Sequence, residues 1–159
     1  MDAFSYEIND LLVSLYTSIE KMEQQMLTSA KNFDLSIREI HFLDAVGRDK
    51  EQFPLGKTIS ELAECLGITL PSVTLAVNKL QKKGFLVKER SVSDGRIVHI
   101  HLTREGQKVY RLHRLFHTRM VNAVAAELSQ EEKNALTSGV RKMRNFFADT
   151  LAAQAREGR

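Results

Sequence analysis

Hydrophobic residues recur every three or four positions through most of the chain, the spacing that places them on one face of an α-helix. A long amphipathic helix is predicted near the amino terminus, and a shorter one between Ser36 and Gly47. Ser36 with Glu39 three residues later is typical of a capping box, and Gly47 is a typical stop signal. The apolar face of the predicted amino-terminal helix comprises Ile8, Leu11, Leu12, Leu15, Ile19, Met22 and Met26.

Two further helices follow and are joined by a glycine. A short helix capped by Ser60 is predicted to end at Gly67, and a longer one to run from Thr69 or Leu70 to Gly84. This is the spacing of a helix-turn-helix, and Pro71 suits the first turn of the second helix. The face of that helix predicted to pack inward consists of Leu70, Val73, Val77 and Leu80.

The pattern changes at Phe85, where two β-rich runs begin. Residues 85–90 and 97–102 flank a connection that contains Asp-Gly, a β-hairpin signal. Thr103 then caps a long helix predicted to reach Leu128, and Ser129 opens the last helix. The chain is therefore predicted to be mostly α, of the α+β class, with a single domain over residues 1–159.

The charge is distributed unevenly along the sequence. The 159 residues carry a net charge of +3, but residues 57–118 contain eleven Lys or Arg and five Asp or Glu, a net of +6. The rest of the chain sums to −3. A basic middle with mildly acidic ends indicates a polyanionic partner for the middle.

Composition excludes several classes of protein. A lone cysteine, Cys65, rules out an intramolecular disulfide, fits a cytoplasmic location, and is expected to be a small buried hydrophobe rather than a redox switch. No apolar run approaches the ~20 residues that cross a bilayer, and the amino terminus lacks a signal-peptide pattern, so no membrane association is predicted. Without a phosphate loop, a Gly-x-Ser-x-Gly motif or a nucleophile–base pair, neither an enzyme nor a cofactor is predicted.

The basic segment has the features of a double-stranded DNA reader. Hydroxyls near the start of the 69–84 helix, an amide in its middle and lysines at its end suit the major groove, although a solvated helix face has similar residues. Arginine at the hairpin tip suits the minor groove, with Asp94 as an internal partner that orients an arginine. Helix-turn-helix plus hairpin is a winged helix. The predicted DNA-binding residues are Thr69, Pro71, Ser72, Thr74, Asn78, Lys79, Lys82, Lys83, Arg90, Asp94 and Arg96.

The segments 58–63, 70–74, 78–84, 94–96 and 102–106 resemble the MarR family of transcriptional regulators. The resemblance implies a homodimer on a pseudo-palindromic operator, with residues 57–103 as the DNA-binding lobe and residues 1–35 and 128–155 as dimerisation helices. It also implies that Arg96 enters the minor groove while Asp94 braces the wing.

A narrower resemblance concerns residues 35–41 and 111–117, which are similar to the branch that represses fatty-acid synthesis genes in Gram-positive bacteria. That branch implies a long-chain acyl group on acyl carrier protein as co-repressor. An apolar cleft between the second and fifth helices would suit an acyl chain. Its predicted lining is Ile37, Ile40, His41, Leu112, His113, Phe116 and His117.

Other interpretations of these residues stay open. His113 and His117 share a helix face with a spacing that zinc sites use, although no metal is predicted, and the same residues could simply be core. A phenolic ligand, a metal or an oxidant could be the effector instead of an acyl group. Alternatively, the winged helix could dock an acidic protein through its basic fifth helix, which carries Arg104, Lys108, Arg111 and Arg114.

Overall fold

The structure, a computed structural model, describes residues 2–29 and 33–157. This part of the chain contains six helices and two strands, which confirms the prediction of a mostly α chain of the α+β class. The elements are α1 (Ala3–Ser29), α2 (Ile37–Gly47), α3 (Ile59–Leu66), α4 (Leu70–Lys82), β1 (Leu86–Arg90), β2 (Val98–Leu102), α5 (Arg104–Ala126) and α6 (Gln130–Glu157). The chain divides into two compact units, Met1–Phe116 and His117–Arg159.

Capping residues fix where the helices begin. The Ser36–Glu39 box at α2 is confirmed, with both reciprocal hydrogen bonds present. At α3 the prediction of Ser60 as the cap is wrong. Thr58 is the N-cap and forms a capping box with Glu61, so α3 begins earlier and Ser60 lies in its first turn. The start of α3 is thus set by the Thr-x-x-Glu pattern.

The core of the first unit lies where α2, α3, α4 and the hairpin meet. Three residues predicted to face inward from α4, Val73, Val77 and Leu80, are fully buried. Leu70 is 50% exposed, contrary to prediction, because it is the first residue of α4 and lies one turn beyond the core. The other fully buried apolar side chains of this core are Ile40, Leu43, Leu62, Ile100 and Val109.

The two strands form an antiparallel hairpin, the wing, in which Leu86 pairs with Leu102. The N–H of Ile100 also donates to the carbonyl oxygen of Lys57 at 2.8 Å, so β2 is tied to the segment that precedes α3. Phe85 and Ile97, which the sequence placed in strands, lie just outside them. Strand β2 is therefore hydrogen-bonded along both of its edges, to β1 and to the segment before α3.

Gly106 in the first turn of α5 brings that helix close to the wing. A Cβ at this position would lie 2.2 Å from the carbonyl oxygen of Phe85, so only glycine fits without a shift of the backbone. Thr103 caps α5 as predicted, since its hydroxyl accepts from the N–H of Gly106 at 3.2 Å. These contacts fix the direction in which the chain leaves the wing.

Helices α3 and α4 meet at an angle of 111°. Only as this bent pair do they satisfy the length and composition criteria for a membrane span, and among the described residues no single helix does so. The angle lies within the range of about 90–120° that is typical of a helix-turn-helix.

Candidate DNA-binding surface

The turn between α3 and α4 is built by Gly67 and Thr69. Gly67 takes a left-handed conformation (φ 64°) that ends α3, and the Thr69 hydroxyl accepts from the N–H of Ser72 to begin α4. The side chains of Thr69 and Ser72 also lie within hydrogen-bond distance of each other, at 2.9 Å. With the exposed Pro71, these residues place small polar groups at the amino-terminal end of α4.

The outer face of α4 continues with Thr74, Leu75 and Asn78. The Thr74 hydroxyl donates to the carbonyl oxygen of Leu70 at 2.9 Å, and Leu75 is 72% exposed. Asn78 is exposed, and its amide oxygen accepts from Lys88 Nζ of β1 at 2.6 Å. The NH₂ donors of Asn78 and the second lone pair of its oxygen remain for a base edge.

The three predicted lysines of this region have different surroundings. Lys79 Nζ and Lys83 Nζ both lie 3.1 Å from Glu39 Oε1 at the start of α2. Lys83 also donates to the carbonyl oxygen of Asp34 at 2.6 Å and is only 25% exposed. Lys82 is exposed. Of the three, Lys82 is the lysine whose ammonium can reach a phosphate without giving up an ion pair with Glu39.

The Glu39 carboxylate is held in its charged form. Burial raises its pKa, but hydrogen bonds from the Ser36 N–H, Lys79 and Lys83 outweigh this effect and keep the pKa at about 2. The carboxylate therefore joins α2 to the carboxyl-terminal end of α4 at any pH near neutrality.

Acidification is expected to destabilise the protein through Glu39. Its pKa of about 2 in the folded chain lies below the ordinary value of 4.5, so the unfolded chain takes up the proton first. The stabilisation is complete above pH 4.5 and is lost as the pH falls through 2, with a size on the order of 2 kcal/mol. Urea midpoints measured across this range will show the loss. Glu39→Gln should reduce it, whereas Glu131→Gln, at an exposed acid in α6, should leave it unchanged.

The tip of the wing is held by backbone contacts of Asp94. Its carboxylate accepts from the backbone N–H of Arg96 at 2.9 Å, and its own N–H donates to the Ser91 hydroxyl at 3.4 Å. Asp94 therefore contacts the backbone of Arg96 and closes the local turn within the wing. Arg90 and Arg96 are both exposed at the wing.

Lys57 belongs to the basic segment by sequence but does not add to its surface charge. It is 1% exposed, and its Nζ donates to the carbonyl oxygens of Ala45 and Arg48 at 2.7 and 2.6 Å. Its ammonium also lies 5.0 Å from the centre of the Phe53 ring. Lys57 thus stabilises the carboxyl-terminal end of α2, where the helix dipole is negative.

The residues predicted to line an acyl cleft are partly brought together. Ile40 and His113 are buried, and the rings of His41 and His113 lie 5.4 Å apart. His117 lies in the second unit, so its part in such a site stays a prediction. A cavity of about 490 Å³ is found elsewhere, beside the wing, where Pro54, Leu55, Val92, His99 and His101 are among its lining residues.

Cys65 is exposed, so its predicted burial is wrong. The buried residues of α3 are Leu62 and Ala63, with Ile59 and Leu66 packed partly against the core. This stripe follows helical spacing, and Cys65 lies off it on the outer surface.

A helix-turn-helix followed by a two-stranded wing with exposed arginines defines the class of winged-helix DNA-binding proteins. Comparison with known proteins gives the family. Residues 33–97 match the MarR family. FabT of Streptococcus pneumoniae, solved in complex with DNA, is 32% identical, and the alignment covers 91% of this chain and 98% of FabT with a TM-score of 0.83. The chain belongs to the MarR family of DNA-binding transcriptional regulators.

Two other known proteins are similar to this chain, Hpr in sequence and MepR in fold. The regulator Hpr of Bacillus mycoides, named an HTH-type transcriptional regulator, is 29% identical over 144 residues, which are 91% of this chain and 67% of Hpr. MepR of Staphylococcus aureus, solved in complex with DNA, is 22% identical and shares the fold, with a TM-score of 0.64 over 91% of this chain and 98% of that one. The match to the MarR family and the name of Hpr confirm the prediction of a regulator rather than an enzyme.

Proposed function

We propose that this protein is a cytoplasmic, sequence-specific repressor that binds a pseudo-palindromic operator as a homodimer. The observation that carries the proposal is the joint exposure of the α4 amino terminus and the Arg96 wing tip within one winged helix. The S. pneumoniae relative was solved with DNA, which supports the same use of this fold here. Ser72, Thr74 and Asn78 would meet base edges in the major groove, while Arg96 would enter the minor groove.

Exposed apolar side chains support the homodimer. Along α1, Leu11, Leu15 and Tyr16 are 57%, 59% and 69% exposed. The α6 residues with comparable exposed fractions are Leu136, Val140, Phe147 and Leu151, at 51%, 54%, 53% and 66%. Apolar surface of this extent is typical of a protein interface, and a two-fold dimer would present two recognition helices to half-sites about 34 Å apart.

For the effector we propose a long-chain acyl group on acyl carrier protein, acting as co-repressor. The support is the resemblance of residues 35–41 and 111–117 to the branch that represses fatty-acid synthesis genes. The exposed basic residues Arg104, Lys108, Arg111 and Arg114 of α5 could meet the acidic carrier protein. Since a ligand shifts an equilibrium only by its differential affinity, the acyl form must bind the DNA-bound state more tightly than the free state.

Gel shifts with genomic fragments, with and without acyl carrier protein, test both parts of the proposal. We expect specific fragments to shift, and acylated carrier protein to raise DNA affinity by about 5- to 150-fold, the usual range of allosteric coupling. Carrier protein without an acyl chain is the matched control and should have little effect.

Three results would change the proposal. A response to a phenolic compound, a metal or an oxidant, and none to acyl carrier protein, would assign another effector. If acyl carrier protein bound but no genomic fragment shifted, the chain would be a protein-interaction module. A monomer in sedimentation at operator-binding concentrations would contradict the homodimer.

A further inference from the structure

An apolar side chain occupies the centre of the outward face of α4. Leu75 is 72% exposed, and it belongs neither to the buried core nor to the partly buried hydrophobic residues that pack against the described core. At 100° per residue, its direction lies roughly 165° from the mean direction of the buried Val73, Val77 and Leu80. Leu75 therefore points away from the core.

The polar side chains beside Leu75 already take part in contacts within the protein. The Thr74 hydroxyl donates to the carbonyl oxygen of Leu70 at 2.9 Å, and the Asn78 amide oxygen accepts from Lys88 Nζ at 2.6 Å. The polar atoms of this face would thus be shared between the protein and DNA. The Leu75 side chain has no polar atom to share, so what it can add to an interface is contact with an apolar group.

A recognition helix in the major groove presents the centre of its outward face to the base edges. The groove is about 12 Å wide and a helix with its side chains is about 10–12 Å across, so residues at the sides of the face meet the phosphates. Thymine presents an apolar group in this groove, its C5-methyl, among base edges that otherwise offer donors and acceptors. A leucine at the centre of the face therefore matches thymine.

We propose that Leu75 is a specificity-determining residue, which reads one thymine in each half-site of the operator through contact with the C5-methyl group. The inference rests on the proposed function and deepens it by naming a base that the operator contains. Asn78 lies three residues further along α4, about 4.5 Å along the helix axis, and successive base pairs are about 3.4 Å apart. The thymine read by Leu75 would thus adjoin the base pair that Asn78 meets.

The contact between Leu75 and thymine acts on sequence preference and not on general affinity for DNA. Phosphate contacts are the same on every sequence, whereas the methyl group is present only where thymine is. Burying one methyl-sized group strengthens binding by about fourfold, so two half-sites give about 15-fold. This factor is the discrimination expected from Leu75 in a dimer.

Replacing operator thymines with deoxyuridine tests the proposal, because uracil lacks only the methyl group. The probe is a genomic fragment that the full-length protein shifts, with one symmetry-related pair of thymines replaced at a time. We expect one pair to lower wild-type affinity by about 15-fold. Leu75→Ala should bind the unmodified fragment with at least that loss and should lose nothing further at that pair. Its Tm and its affinity for unrelated DNA should match the wild type, since Leu75 is exposed.

Leu55→Ala is the matched control, at a leucine that is 66% exposed and lies outside α4. It should keep both the wild-type affinity and the full loss with deoxyuridine. A Leu75→Ala protein that stays as sensitive as the wild type at every thymine pair would overturn the inference. A wild-type protein that binds its fragment but is sensitive at no pair would also overturn it. If no genomic fragment is bound at all, the proposed function fails, and the reading of thymine fails with it.

Discussion

Raising the salt concentration from 50 to 200 mM is expected to weaken operator binding by about 10²-fold. The reason is that each protomer of the proposed dimer offers about two cations to phosphates, Lys82 and Arg90, and each contact releases condensed counterions. Four contacts predict a slope of about −4 in a plot of log K against log salt concentration. Fluorescence anisotropy with a labelled operator fragment measures this slope directly.

Single lysine variants refine the expectation. Lys82→Gln removes two contacts per dimer and should make the slope less negative by about two. Lys83→Gln should change the slope less, because Lys83 already pairs with Glu39. If its ammonium moved to a phosphate, the Glu39 carboxylate would lose an ion pair and would attract a cation from solution instead. Lys142→Gln, an exposed lysine of α6, serves as control. A flat plot would show that phosphate contacts are not the source of affinity.

Replacing Arg96 with alanine is expected to cost about 1–3 kcal/mol of specific binding, a loss of about 5- to 150-fold. The guanidinium is the group that would enter the narrow minor groove, where the negative potential is strongest. The turn of the wing should survive the substitution, because Asp94 accepts from the backbone N–H of Arg96 and not from its side chain. Affinity measured on operator and on unrelated DNA separates specific from general binding.

Two comparison variants make the Arg96 result interpretable. Arg96→Lys keeps the charge but loses the planar fork of donors, so it should recover only part of the affinity. Arg111→Ala, an exposed arginine of α5 outside the wing, should bind operator like the wild type in the absence of a carrier protein. Operator affinity that is unchanged in Arg96→Ala would remove the wing tip from the DNA interface.

Local patterns were enough to predict most of the fold. The helical stripes, the Ser36–Glu39 box and the Asp94-Gly95 turn are each written within a few residues, and each gives the predicted element. One error is local, because α3 begins at the Thr58–Glu61 capping box and not at Ser60. The other errors occur where tertiary packing decides. Leu70 has the spacing of a core residue but lies beyond the end of the core, and Cys65 lies off the buried stripe of its helix.

The residue types of the candidate site were predictable from the sequence, but the side chains that they contact were not. The sequence identifies Lys79 and Lys83 as cations on the recognition helix, yet nothing local shows that Glu39, some forty residues earlier, lies against both. The contacts of His113 also depend on the fold. His113 has an obvious helical neighbour in His117, whereas its contacts with Glu23 and His41 arise from three helices that only the fold brings together.

The burial of Lys57 has a consequence for the way the winged helix opens. Its ammonium is bound to the end of α2, while its backbone carbonyl accepts from Ile100 of β2. Separating the base of the wing from α2 would leave a charged group and two helix carbonyls without their partners in a place with little water. The base of the wing must therefore unfold together with α2 and the core as one cooperative unit. The tip at Asp94 can open by itself, since only short-range hydrogen bonds close it.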